Sequence, residues 1–349
     1  MNMKYYLLGK SGLRVSELAL GTMTFGTDWG WGSTQVEAKQ MLDLYLERGG
    51  NFIDTANGYT NGSSEKILGE IIGNRRDSLV LATKYTQNIY QGDPNGGGNH
   101  RKSMVRSVEN SLKRMKTDYI DLLYLHAWDD TTPVEEILRG MDDLVRSGKV
   151  LYAGISDTTA WQVSRMQTIA DLRGWTPLIA LQIEYSLAER TTERELIPMA
   201  KEMGLGVVAW SPLSKGLLTG KYSVEELRSG VSKGDFSRKA MIVNSGVLND
   251  QVLDTVALLI QIANEINKPA AEVALAWLRS KQSVTSILIG ASKLKQLESN
   301  LNSLDLTLSD DQLKSLNEVS EVDMGFPHRI LANSLAKTMV FGGVDVMKR

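Results

Sequence analysis

The chain has 349 residues, 42% of them hydrophobic and 23% charged, with a net charge of −2. That balance suits one large or two ordinary globular domains and excludes a chain that is disordered throughout. It gives no electrostatic reason to expect nucleic acid or an anionic membrane as a partner. There is no cysteine, which excludes disulfides, thiolate-bound zinc, iron–sulfur clusters and thiol catalysis together. The only histidines are His100, His126 and His328, too few for a multi-histidine metal centre, so no metal is expected. Residues 1–6 lack the apolar stretch of a signal peptide, and no apolar run approaches the ~18–20 residues of a membrane span. A cytoplasmic protein is expected.

In chain order, segment 4–15, with Gly9 and Ser11-Gly12, reads as a small hairpin that precedes a barrel and plugs its bottom. Short apolar or β-branched runs then recur at 18–25, 51–55, 79–84, 120–126, 152–156, 180–185, 206–211 and 285–290. Amphipathic stretches separate them. Residues 101–115 put Met104, Val105, Val108, Leu112 and Met115 on one helical face. Residues 133–145 open on a proline and turn Ile137, Leu138, Met141, Leu144 and Val145 inward. Residues 193–203 end at Gly204, a suitable helix stop. Alternation of this kind predicts an α/β protein with a parallel sheet and crossover helices. About eight unbroken units predict a single-domain (β/α)8 TIM barrel spanning 1–349, its strands apolar because both faces are buried.

Two long interruptions, 87–99 after the third strand and 221–249 after the seventh, are expected over the C-terminal face of the barrel. The tail 322–349 either folds back as a wall for substrate or packs on the outside. Gly204 to Ala209 matches the spacing of a dinucleotide fingerprint, but its glycines precede a strand instead of opening a helix, so it reads as a helix stop. Gly96-Gly97-Gly98 lacks the Gly-Lys-Ser/Thr of a phosphate loop. Asp129-Asp130 reads as a cap or loop pair for the helix opened by Pro133, not as a metal site.

The chemistry gathers at strand ends. The second barrel run closes on Asp54, with Tyr59 just beyond; the third ends on Lys84 and the fourth on His126. Each alone has a plainer reading: a turn cap, a loop tyrosine, a solvated lysine, a core-edge histidine. Together, on the face where such barrels carry their sites, a carboxylate, phenol, ammonium and imidazole can deliver a proton to a carbonyl oxygen.

These residues resemble the aldo-keto reductases. The likeness runs through Asp54-Thr55-Ala56-Asn57-Gly58-Tyr59, Gly62-Ser63-Ser64-Glu65 and Leu68-Gly69 to Lys84 and Leu123-Tyr124-Leu125-His126. It continues in Gly154-Ile155-Ser156-Asp157, Gln182-Ile183-Glu184-Tyr185-Ser186, Trp210-Ser211-Pro212-Leu213, Gly220-Lys221-Tyr222 and Gly290-Ala291-Ser292. The resemblance implies a catalytic tetrad of Asp54, Tyr59, Lys84 and His126. Tyr59 would be the proton donor, its pKa lowered from about 10 by Lys84. Asp54 would hold Lys84, and His126 would orient the carbonyl.

The resemblance also implies a nicotinamide cofactor. Ser156, Asp157 and Gln182 would hold its carboxamide, Trp210 would stack on its ring, and Ser211, Pro212, Leu213, Gly216 and Leu217 would follow its pyrophosphate. Gly21, Thr22, Met23 and Asp54 would add contacts from the first two strand ends, and Lys221, Gly290, Ser292, Gln296 and Asn300 from the adenosine side. Many relatives have Asn at Asp157 and Arg or Lys near Ser292. NADPH is expected, with NADH as a second cofactor, since a hydroxyl grips a 2′-phosphate less firmly than a guanidinium does. Lys221, Lys293 or Arg238 would add positive charge. Trp29, Trp31 and Trp128 either line a substrate pocket together with Tyr59 and His126 or cover the barrel mouth. The expected activity is hydride transfer from NADPH to an aldehyde or ketone, with a small-molecule carbonyl compound as substrate. A homo-oligomer is left open. Two other readings stand beside it: a Schiff-base lyase or aldolase using Lys84, and a regulatory subunit that binds nicotinamide.

Overall fold

A computed structural model describes residues 3–231 and 238–344. A two-stranded antiparallel hairpin, β1 (Tyr5–Leu7) and β2 (Arg14–Ser16), precedes a closed parallel barrel. The barrel strands are β3 (Leu18–Gly21), β4 (Phe52–Asp54), β5 (Val80–Tyr85), β6 (Ile120–Leu125), β7 (Val150–Ser156), β8 (Leu178–Glu184), β9 (Gly206–Trp210) and β10 (Val284–Gly290). They pair in sequence order, and β10 closes the ring between β9 and β3. This is the (β/α)8 barrel expected from the alternation. Among the described residues no helix is long and apolar enough to cross a membrane.

The two faces of each strand build two cores. Phe52 on β4, Ala82 on β5, Leu122 on β6 and Val208 on β9 point into the barrel. Ile53, Leu81, Leu123 and Ala209 point outward into the shell shared with the helices. Burying a side chain the size of Phe52 stabilises the fold by about 1.5–3 kcal/mol. Leu8 and Val15, which bracket the turn between β1 and β2, are fully buried in the interior cluster with Phe52, Val80 and Ile179. The hairpin thus plugs the lower end. Gly9 is required there: its φ is +58°, and a Cβ would fall 2.3 Å from the Ile179 carbonyl oxygen.

Helix Arg101–Met115 forms where its periodicity places it, but with a different inner row. Met104, Val108, Leu112 and Met115 are buried, together with Ser103, Ser107 and Ser111. Val105, expected inside, is 37% exposed. It lies about 100° around the helix from Met104, and the small serines occupy the close flank instead. The helix expected at 193–203 begins only at Leu196, after a 3-10 turn Thr191–Glu193, and stops at Gly204 with φ +73°. Glu193 is otherwise engaged, ion-paired with Arg190 at 2.8 Å and accepting from the Tyr185 hydroxyl at 2.6 Å.

The stretch after β9 carries two short helices, Val224–Arg228 and Arg238–Val243. Residues 232–237 of the expected 221–249 loop, and the side chain of Arg238, lie outside the described residues. Segment 87–99 has no helix but is tied to its flanks, by Arg106 to Asp93 at 2.9 Å and by the Gly98 amide to the Thr86 carbonyl at 2.8 Å. In the tail, helices His328–Leu331 and Ser334–Phe341 lie on the outside with no buried residue. The tail is held to the segment after β8 by His328 Nε2 and Glu195 Oε1 at 2.8 Å, and by Arg194 donating to the Asp323 carbonyl. Residues 345–349 lie outside the described residues.

Candidate active site

The pleat that buries Phe52 and Ala82 also aims the residue two positions on into the barrel, one layer higher. On β4 that residue is Asp54 and on β5 it is Lys84, both almost fully buried. On β8, two beyond Ala180, it is Gln182. The upper layer of the barrel is therefore polar, and its members satisfy one another. Lys84 Nζ donates to Asp54 Oδ1, to the Thr55 carbonyl at 3.0 Å and to the Tyr59 hydroxyl at 3.2 Å. Gln182 Nε2 donates to the other oxygen, Asp54 Oδ2, at 2.9 Å.

Tyr59 reaches Lys84 because the backbone beyond β4 keeps following β5. Thr55 and Asn57 amides donate to the Ala82 and Lys84 carbonyls, each at 3.0 Å. The chain then turns sharply through Thr60 (φ +45°) and Asn61 (φ +56°). A β-branched residue at positive φ is strained, and the Thr60 hydroxyl offsets this by donating to the Phe25 carbonyl at 2.6 Å. The His126 ring stands edge-on to Tyr59, with centroids 5.8 Å apart and planes at 79°. Asp54, Tyr59, Lys84 and His126 thus meet at the mouth of the barrel.

Their electrostatics differ in one respect from expectation. Burial disfavours the Lys84 ammonium, but Asp54 and Tyr59 outweigh that, and its pKa lies above the ordinary lysine value. Burial raises Tyr59, Lys84 lowers it, and Asp54 raises it again; the net direction is upward, not the lowering expected from Lys84 alone. The carboxylate that secures the lysine also cancels much of its charge as the phenol feels it. Burial, and then the nearby Lys84 charge, push His126 down to about 3, so its imidazole is neutral near pH 7. His126 Nδ1 is buried without a partner.

A model of the Aldo/keto reductase family matches residues 17–321. The chain is 39% identical over 337 residues to a norsolorinic acid reductase of Aspergillus flavus, covering 93% of this chain and 83% of that protein. It is 36% identical over 337 residues to an aryl-alcohol dehydrogenase [NADP(+)] of Phanerodontia chrysosporium, covering 92% and 87%. An uncharacterized oxidoreductase of Bacillus subtilis is 37% identical over 329 residues, covering 91% and 96%. The chain belongs to the aldo/keto reductase family.

The other residues that the sequence brings forward in this reductase fall into groups. Trp210 donates its indole N–H to Asp157 Oδ1 at 3.0 Å, and Asp157 sits at φ +39°. Burial raises the Asp157 carboxyl against the Trp210 bond. Ser156 is buried beside them. Ser211, Ser214, Lys215 and Gly216 all take positive φ, and the Ser214 and Gly216 amides close the loop on the Ser211 and Leu213 carbonyls at 2.8 and 2.9 Å. A Cβ on Gly216 or Gly290 would meet nothing within 4 Å, so the backbone there is open to close approach. Pro212 and Leu217 are buried and Leu213 packs on the core, so the loop can offer mainly its peptide groups. Ser292 N, Ser292 Oγ and Lys293 N converge on Gln296 Oε1 at 3.0, 3.2 and 3.2 Å. Asn300 donates to the Gly290 carbonyl at 3.3 Å. Lys221 is exposed. The clear approach to the backbone at Gly216 and Gly290 fits a dinucleotide phosphate chain.

Thr22 is buried and turned inward: its amide and its hydroxyl both donate to the Asp54 carbonyl at 2.9 Å. Gly21 ends β3, and Met23 is 44% exposed. Trp29 and Trp31 lie together, centroids 5.5 Å apart. Trp128 packs against the outer core, with its indole N–H buried and unpartnered.

Sequence reasoning missed a second network. Thr86, at φ +105°, donates its hydroxyl to Asn99 Oδ1 at 2.8 Å and accepts from the His126 amide at 3.2 Å. Asp129 accepts from the Asn99, Thr131 and Thr132 amides at 2.7, 3.0 and 2.9 Å. This joins 87–99 to the segment carrying His126 and Trp128. Buried Glu65 accepts from Thr83 and Arg114, each at 2.6 Å, behind Lys84. The signal for Glu65 lay in its place within Gly62-Ser63-Ser64-Glu65; nothing in the sequence singled out Thr86.

Proposed function

We propose that the protein reduces the carbonyl group of an aldehyde or ketone, with Tyr59 giving the proton and a nicotinamide nucleotide, NADPH foremost, as the cofactor. A bound reduced nicotinamide supplies the hydride. The observation that carries the reading is the buried chain Asp54–Lys84–Tyr59, with His126 against the tyrosine ring. Hydride addition leaves an alkoxide, which takes a proton from the Tyr59 hydroxyl. Lys84 stabilises the phenolate that remains, and Asp54 with Gln182 keeps the ammonium in place. His126, neutral and beside Tyr59, serves as a hydrogen-bonding guide for the carbonyl oxygen and not as a source of protons.

Ser156, Asp157 and Gln182 would face the carboxamide, Trp210 the ring, loop 211–217 the pyrophosphate and Ser292, Gln296 and Asn300 the adenosine half. Trp29, Trp31 and Trp128 would offer flat apolar surface to the substrate. The names of two relatives, a norsolorinic acid reductase and an aryl-alcohol dehydrogenase [NADP(+)], favour an aromatic carbonyl compound and NADPH. A Schiff-base role for Lys84 is disfavoured, because a lysine held charged by Asp54 is a poor nucleophile.

Tyr59→Phe tests this. The expected result is a fall in kcat of about 10²–10⁴-fold on aromatic aldehydes, with NADPH binding by tryptophan fluorescence nearly unchanged. Near-full activity would remove Tyr59 from the role of proton donor.

A further inference from the structure

The adenosine end of the site carries a feature that bears on which nucleotide enters it, an inference that rests on the cofactor reading above. Next to Ser292, the side chain able to offer positive charge is Lys293, the residue that caps the start of helix Leu294–Asn302. Its ammonium is already engaged: Lys293 Nζ lies 2.7 Å from Glu37 Oε1. Glu37 comes from a different element, the first turn of helix Gln35–Glu47.

Glu37 is not a loosely held surface carboxylate. Its second oxygen, Oε2, accepts from the Thr34 amide at 2.9 Å and the Thr34 hydroxyl at 3.0 Å, completing a capping box. One oxygen therefore secures the helix start and the other faces Lys293. The Lys293 ammonium and the Thr34 donors hold the Glu37 carboxyl down at about 2, so it is charged at any working pH.

A 2′-phosphate brings close to two negative charges near neutral pH, whereas a 2′-hydroxyl brings none. A phosphate arriving at Ser292 and Lys293 meets an ammonium that is already neutralised, beside a carboxylate that its own helix cap prevents from swinging away. Like charge beside that position opposes binding, and chiefly for the nucleotide that carries the 2′-phosphate.

We propose that Glu37 is a specificity-determining residue that weakens the preference for NADPH by occupying Lys293 and repelling the 2′-phosphate, so that NADH is accepted as well. It acts from outside the catalytic group and makes no demand on the carbonyl substrate.

Glu37→Gln is the decisive variant, because glutamine preserves the capping box and removes only the charge. Dissociation constants for NADPH and NADH are measured by quenching of tryptophan fluorescence in the full chain, at low and at high salt. The expected result is a gain in NADPH affinity of about five-fold at low salt, shrinking as salt is added, with NADH moved by less than about two-fold. Lys293→Met is expected to weaken NADPH and leave NADH near its original value. If both nucleotides bind and Glu37→Gln leaves their ratio unchanged, or shifts both equally, the inference is overturned while the cofactor site stands. If neither nucleotide quenches the unaltered protein, the cofactor site itself fails and the inference falls with it.

Discussion

The two ends of the barrel are built from the same strands, two residues apart, and obey opposite rules. At the lower end Phe52, Val80, Ile179 and the hairpin's Leu8 and Val15 fill the interior with apolar atoms. There the requirement is shape, and each residue contributes by leaving water. One layer above, Asp54, Lys84 and Gln182 are equally buried but charged or polar. There the requirement is pairing, since an unpaired buried charge is far more costly than a missing methyl group. The same pleat therefore packs apolar side chains at one end and pairs charged and polar ones at the other, and substitutions at the two ends should fail in different ways.

The sharpest break is Lys84→Met. It leaves Asp54 buried with only Gln182 as partner, so unfolding free energy should fall by about 3–5 kcal/mol. Turnover should collapse as well, and the remaining activity should follow a different pH profile. Lys84→Met with a native melting curve would mean that the pair is not strongly coupled to the fold. Leu8→Ala at the opposite end should cost about 2–5 kcal/mol through the cavity it leaves. At a temperature where the variant is still folded, kcat should be nearly native; a large loss there would mean that the lower plug communicates with the mouth.

A smaller effect should separate the layers by pH. The His126 pKa is lowered in the folded state from 6.5 to about 3. Between those values the unfolded chain binds a proton that the folded chain refuses, so stability falls as pH drops through the window and is unaffected above it. Replacing His126 with Gln should flatten that acid limb in denaturant titrations between about pH 6.5 and pH 4, whereas Leu8→Ala should lower the whole curve without changing its slope. An unchanged limb in the His126 variant would place the titrating group elsewhere.

Legibility in the sequence divides along the same line. The eight apolar runs announced the barrel because strands buried on both faces have few polar residues to confuse the pattern. Their ends were less legible. The run expected at 18–25 leaves the sheet after Gly21, because the chain turns at once, closed by the Phe25 amide donating to the Thr22 carbonyl at 2.9 Å. Val105 was misplaced because periodicity gives a stripe, not which flank the neighbouring elements press upon. Asp54, Tyr59, Lys84 and His126 stood out because titratable residues fell at or just beyond the ends of three successive apolar runs, on one face. The net upward direction of Tyr59 did not, since it is the balance of burial against two opposite charges and needs positions in space. Thr86 and Asn99 were invisible for a related reason: a hydrogen bond across 13 positions leaves no trace in spacing or composition.

Thr86 offers the finest test of the upper layer. Its hydroxyl links Asn99 on one side to the His126 amide on the other, from a backbone at φ +105° that a β-branched residue rarely adopts. Thr86→Val keeps the shape and the strain and removes only the hydroxyl. The His126 amide retains the Tyr85 carbonyl at 3.3 Å, but the buried Asn99 Oδ1 loses its Thr86 donor, so the stability cost should be about 1–3 kcal/mol, as for a buried acceptor left unpaired. If Thr86 positions His126, KM for the carbonyl substrate should rise while nucleotide affinity holds, and Thr86→Ser should restore both, because serine returns the hydroxyl and relieves the β-branching. A purely structural role would lower the melting temperature and leave KM where it was. That contrast would show whether the polar layer needs only the partners that carry charge, as Asp54 and Lys84 do, or also the neutral group that sets the imidazole's place.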